Sequence, residues 1–259
     1  MNDTVAVALI NFILYLYIFV FGAVIGSFLN VVIYRVPQEI SIAKGRSFCP
    51  KCGAPIKGYH NIPVFSYLWL RGKCADCGEK ISPRYPLIEL FTGALAVLVL
   101  WIFGFSFQWI VVFTVGAMLI CIAMIDFDTM TIPNGLVIAL MVPALLSFFC
   151  FPQVELLSRV IGMVVVSLPM LVITLFIGEA FGGGDIKLMA VAGFLLGWPN
   201  TVLATFIGLV LGGVVAVSLL AKKTKDKHMA FGPYLCVGIM TALLAGDAII
   251  KCYLSLFGL

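Results

Sequence analysis

Apolar runs too long for any soluble core constrain this chain more than any other feature. Several exceed the roughly 18 residues that mark a membrane span. Of its 259 residues, 63% are hydrophobic and 11% charged, against about half and about a quarter in soluble domains. The runs predict an all-α polytopic membrane protein with eight transmembrane helices, near residues 7–34, 86–107, 109–125, 135–151, 156–177, 185–198, 202–221 and 231–257. The first run lacks the charged start and small-residue cleavage site of a signal peptide, so it is expected to stay as a membrane helix. The sixth is short for a hydrocarbon layer of about 30 Å and begins with Asp185 beside three glycines, which suits a start inside a polar cleft. The organisation expected is a first helix over 1–34, a polar loop over 35–85 and a membrane-embedded core over 86–259.

Orientation follows from the loop charges. Residues 35–84 hold Arg35, Lys44, Arg46, Lys51, Lys57, Arg71, Lys73, Lys80 and Arg84 against Glu39, Asp76 and Glu79, which places that loop in the cytoplasm. With eight spans, Lys222, Lys223, Lys225 and Lys227 fall on the same side and both termini lie outside. The turns at 126–134 and 178–185 then open to the cytoplasm. The net charge of +4 sits mainly in these loops; it reports orientation and gives no sign of nucleic-acid binding.

The eight cysteines form two populations. Cys121, Cys150, Cys236 and Cys252 are scattered through apolar stretches and read as small hydrophobes. Cys49, Cys52, Cys74 and Cys77 form two CxxC knuckles in the polar loop, a zinc-ribbon pattern in which four thiolates enclose one tetrahedral zinc. So short a segment has little core of its own and needs a staple. Free thiols or disulfides are the other reading, and a cytoplasmic loop disfavours disulfides. Four cysteines leave no open coordination position, so the zinc is expected to be structural.

Ionisable residues in the membrane zone are few and costly. Asp126 ends the third run just before Pro133 breaks the chain, and Asp185 follows Gly182, Gly183 and Gly184 where the sixth helix opens. Three glycines allow close backbone approach, and a helix N-terminus stabilises an anion. Two carboxylates facing each other share a proton: one activates water while the other polarises a peptide carbonyl. Each aspartate alone would read as an interfacial cap; together with the glycine run they predict an aspartyl protease. Asp128 is the first substitute, although it reads as a solvated turn residue, as Glu179 reads as a cytoplasm-facing helix end. Glu89 is expected in the first turn of its helix, and Asp247 with Lys251 as an interfacial ion pair. His60 and His228 belong to no HExxH motif and lie outside the membrane zone, against a zinc protease or a Ser/His dyad using Ser27 or Ser167. A transporter binding a cation at Asp126 and Asp185 would show paired interruptions in two matching halves, and an adaptor would need no placed carboxylates.

The chain resembles the bacterial type IV prepilin peptidases. The likeness rests on residues 26–35 (GSFLNVVIYR), 61–63 (NIP), 70–74 (LRGKC), 81–86 (ISPRYP) with Glu89, the aspartate ahead of a threonine and an Ile-Pro pair at Asp126, and a Gly-x-Gly-Asp motif at Gly182–Asp185. The resemblance implies cytoplasmic cleavage of the basic leader of type IV prepilins or type II secretion pseudopilins, after a glycine and usually before a phenylalanine. It also implies methylation of the new N-terminus from S-adenosylmethionine, although residues 35–84 carry no glycine-rich cofactor fingerprint.

Overall fold

The computed structural model describes residues 3–178, 181–221 and 229–258. Glu179, His228, Lys222, Lys223, Lys225 and Lys227 therefore lie outside the described residues. The chain divides into two compact units, Met1–Phe105 and Ser106–Leu259.

The first unit is built on α1 (Asp3–Arg35) and α3 (Arg84–Phe103), packed along one another. Both are apolar all round, as membrane helices are. Small residues set their spacing: a Cβ on Gly22 would lie 2.7 Å from Ala96 Cβ, and one on Gly26 2.8 Å from Glu89 Cα. This Gly-xxx-Gly face lets the two backbones touch. Between these helices the polar loop holds two 3-10 turns and the short α2 (Phe65–Trp69). It also holds two isolated antiparallel bridges, Phe48 with Pro55 and Lys73 with Lys80. Buried Arg35 organises its start by donating to the carbonyls of Ser41 (2.9 Å), Lys44 (2.7 Å) and Arg46 (3.0 Å).

The second unit comprises α4 (Phe107–Thr129), α5 (Asn134–Cys150), α6 (Leu156–Val165), α7 (Ser167–Ile177), α8 (Gly183–Leu196), α9 (Trp198–Ala221) and α10 (Gly232–Ser255). Its core joins Leu119 and Ile122 of α4, Leu140 of α5, Leu188 and Met189 of α8, and Leu235 and Ile239 of α10. Large side chains that face away from it are exposed, Phe176 by 86%; such an apolar exterior suits lipid rather than water.

All eight expected segments are helical. Among the described residues six helices are long and apolar enough to cross a membrane, counting α6 and α7 together; α5 has 17 residues and α8 has 14. The expected single helix over 156–177 is broken at Val166, because Pro169 carries no N–H and its ring crowds the carbonyl four residues earlier. The third helix does not end at Ile125 but continues to Thr129 and stops at Met130, in the left-handed region at φ 54°. Asp126 is thus in the last turn of a helix and not in the loop after it.

Candidate active site

Both aspartates are buried, Asp126 at 5% exposure and Asp185 at 8%. Asp128, two residues on in the same helical turn, points outward and is exposed. A helix turns about 200° over two residues, so Asp126 and Asp128 cannot serve the same cleft.

Asp126 is held from α10. The Gly232 N–H, at the start of that helix, donates to Asp126 Oδ2 at 2.9 Å. A side chain at 232 is excluded, since a Cβ there would lie 2.6 Å from the same oxygen. Sequence reasoning missed Gly232; its position ahead of Pro233 at a helix start was the available signal.

Asp185 occupies the third position of α8, whose N-cap is Gly182. Its carboxylate reaches back to the Gly182 N–H, one half of a capping box. The glycine spacing follows from this geometry. A Cβ on Gly182 would stand 3.1 Å from Asp185 Oδ2, and one on Gly184 2.7 Å from Ile132 Cβ, while one on Gly183 would meet nothing within 4 Å. Only the outer two positions of Gly-x-Gly are sterically demanding. Asp185 Oδ1 is buried and has no hydrogen-bond partner, which is costly unless a ligand or water completes it.

Three contacts bring the two motifs together. Gly184 packs on Ile132 in the turn after Asp126; Lys187 Nζ donates to Asn134 Oδ1 at 2.9 Å, tying α8 to the start of α5 just after Pro133; and the Phe181 and Phe231 rings lie 6.1 Å apart. The charge of Asp126 acts on Asp185, and both act on Cys236 beneath them.

At the other end of α8, Arg159 is wholly buried. It donates to the carbonyls of Ser147, Phe151, Phe194 and Leu195 and to the Ser147 hydroxyl at 2.8–3.3 Å, so one guanidinium satisfies the carbonyl ends of α5 and α8. Sequence reasoning passed over it. An arginine inside an apolar run was the signal, and its place, about 15 Å along α8 from Asp185 at 1.5 Å per residue, makes it structural.

In the first unit, the Cys49, Cys52, Cys74 and Cys77 sulfurs all lie within 4.8 Å of one another, with Cys49 and Cys77 3.9 Å apart. A tetrahedral site with Zn–S bonds of about 2.3 Å requires edges of about 3.8 Å, so the four could hold a metal ion. The two knuckles share one design. Cys49 N–H donates to Ala54 and Cys74 N–H to Glu79, and Gly53 and Gly78 turn back at φ 72° to donate to the first cysteine's carbonyl. The backbone N–H groups of Cys52 and Lys51 hold the Cys49 thiol down at about 7, favouring the thiolate a metal needs. Cys121, Cys150 and Cys236 are buried and Cys252 is exposed.

Two expected roles are corrected. Glu89 is not in the first turn of its helix; it is the sixth residue of α3, buried, and accepts from the Val64 N–H at 2.7 Å. Asp247 accepts from Asn200 Nδ2 at 2.9 Å in place of the ion pair with Lys251 that their spacing allowed.

Residues 20–103 match the Bacterial Peptidase A24 N-terminal domain and residues 113–217 the Type IV leader peptidase family. The chain is 38% identical to the prepilin leader peptidase/N-methyltransferase of Neisseria gonorrhoeae, covering 89% of this chain and 90% of that protein. It is 33% identical to the protein of that name from Aeromonas hydrophila (93% of each) and 31% identical to that from Legionella pneumophila (93% and 95%). No solved structure matches the chain. These relatives carry peptidase and methyltransferase names, and the transporter alternative finds no support among them. With relatives this similar over nearly its whole length, this multi-pass membrane protein belongs to the type IV leader peptidase family.

Proposed function

We propose that this chain is a membrane aspartyl endopeptidase that cleaves the leader of type IV prepilins or type II secretion pseudopilins and N-methylates the new terminus. The observation that carries the peptidase half is the pair of buried carboxylates, Asp126 and Asp185, drawn together on one core by the Ile132–Gly184 contact. One carboxylate takes a proton from water as it attacks the scissile carbonyl, and the other, protonated, donates to the carbonyl oxygen. The tetrahedral intermediate then collapses as the leaving amine takes the proton. Gly182 and Gly232 hold one oxygen of each carboxylate, leaving the remaining oxygens for water and substrate.

The tetracysteine loop holds a structural zinc, because four sulfurs close the coordination sphere. S-adenosylmethionine supplies an electrophilic methyl group when bound. The basic loop sets the site on the cytoplasmic side of the inner membrane, with both termini outside. A substrate of this class keeps its apolar helix in lipid while its extended leader enters from the cytoplasm.

The test is cleavage of a prepilin-like peptide by detergent-solubilised protein, comparing wild type with Asp126→Asn, Asp185→Asn and Asp128→Asn. Each change removes a carboxylate at nearly constant volume. Loss in the first two with activity kept in the third is the expected result; cleavage surviving in either of the first two overturns the mechanism.

A further inference from the structure

The first unit contains a cavity of about 380 Å³, enclosed by the end of α1, the tetracysteine loop and the start of α3. That volume falls in the range of small-molecule sites. Its walls are mostly apolar and include the rings of Tyr34, Phe48 and Tyr85. One buried carboxylate, Glu89, faces into it. The carboxylate is positioned from two sides, by the Val64 N–H at 2.7 Å and by the Ser27 hydroxyl. Both partners are neutral dipoles. Val64 presents its N–H only by standing at φ 62°, ψ −49°, a conformation unfavourable for a β-branched residue that persists where the surroundings enforce it.

Neither the zinc reading nor the aspartate dyad uses this cavity. The same wall carries Arg35, Lys51 and Lys80, with Asp76 and Glu79 at its exposed side, but the hydrogen-bond partners of Glu89 are neutral; a buried carboxylate beside aromatic rings suits a cation that carries a flat apolar body.

We infer that this cavity is the site of the adenosyl sulfonium methyl donor, with the Glu89 carboxylate facing the sulfonium and the aromatic walls taking the purine. The inference rests on the N-methyltransferase half of the proposed function and adds the location and the residue that recognises the charge. Cys49 and Cys74 contribute to the same wall, so the metal tetrad shapes the pocket without touching the donor's chemistry. No catalytic role is assigned to Glu89; it binds and orients.

The test exploits a pair of probes that differ in one charge. S-adenosylmethionine carries the sulfonium, whereas S-adenosylhomocysteine has a neutral thioether in its place. Binding of each to the purified full-length protein is measured by calorimetry for wild type and Glu89→Gln, with zinc content and melting temperature recorded for both. The expected result is a loss of about tenfold or more for S-adenosylmethionine, the scale of one charge-assisted contact, and about twofold or less for S-adenosylhomocysteine. Ultraviolet crosslinking of radiolabelled S-adenosylmethionine to the wild type, read by peptide mapping, is expected to label residues 27–89. Equal affinity losses for the two probes, unchanged binding in Glu89→Gln, or label mapping beyond residue 105 in a wild type that binds the donor overturns the assignment alone. A wild type that neither binds the donor nor methylates a cleaved peptide overturns the methyltransferase reading beneath it.

Discussion

At the scale of single residues, the site is a set of close approaches that only particular side chains permit. Gly184→Ala places a methyl against Ile132 and Gly232→Ala places one against Asp126 Oδ2; overpacking of this kind costs about 1–3 kcal/mol and displaces the carboxylates of the proposed dyad. Both variants are expected to lose leader cleavage by about 10²-fold or more, the scale of a displaced acid or base, whereas Gly183→Ala is expected to cleave at near the wild-type rate. Peptide cleavage kinetics on the three variants checks this, and a severe defect in Gly183→Ala would contradict the packing described. That two carboxylates would lie buried in the helical core was legible in the sequence, because charges inside apolar runs are rare. Gly232 was not, since its role depends on a contact between residues 106 apart.

Among the elements, the tetracysteine loop is the one whose geometry could hold a metal ion. Its cysteines stand in two like knuckles with little core around them, and the spacing alone disclosed them. The Cys49 thiol lies below its ordinary value of 9.0, at about 7, through the backbone N–H groups of Cys52 and Lys51. The Cys49 share of the loop's stability is full above about 9 and lost as the pH falls through about 7, whereas Cys77, pushed up to about 12 by desolvation and the neighbouring thiols, gives up its proton only to a metal. Acidification below neutrality is therefore expected to release the metal, as is a strong chelator, and metal analysis after dialysis across a pH series checks it. Helix boundaries were less legible. The turn after Asp126 starts four residues later than the break at Pro133 suggested, and Pro169 divides a segment that reads as one span. Glu89 illustrates the same limit: its helix was foreseen, but its partner comes from a loop whose path no periodicity records.

For the whole molecule, composition was enough to give the architecture, because apolar runs of this length have few other solutions. What it concealed was the buried polar framework. Arg159 ties the carbonyl ends of α5 and α8 together. Arg159→Leu is expected to leave several buried carbonyls unpartnered at about 1–3 kcal/mol each, so the detergent-solubilised variant is expected to unfold at a lower temperature than wild type, with Arg159→Lys in between. A melting curve for the three forms decides this. The same anchoring has a further consequence. Helix α8 has 14 residues and so a length of about 21 Å; it is fixed at one end by Lys187 on Asn134 and at the other by Arg159. From Asp185 onward only Lys187 of α8 is exposed, so a change in bilayer thickness reaches this helix through the longer helices packed around it, and mismatch falls on the lipid around those. Leader cleavage in proteoliposomes thus becomes a function of acyl chain length, greatest where short chains let the membrane dip to the aspartates.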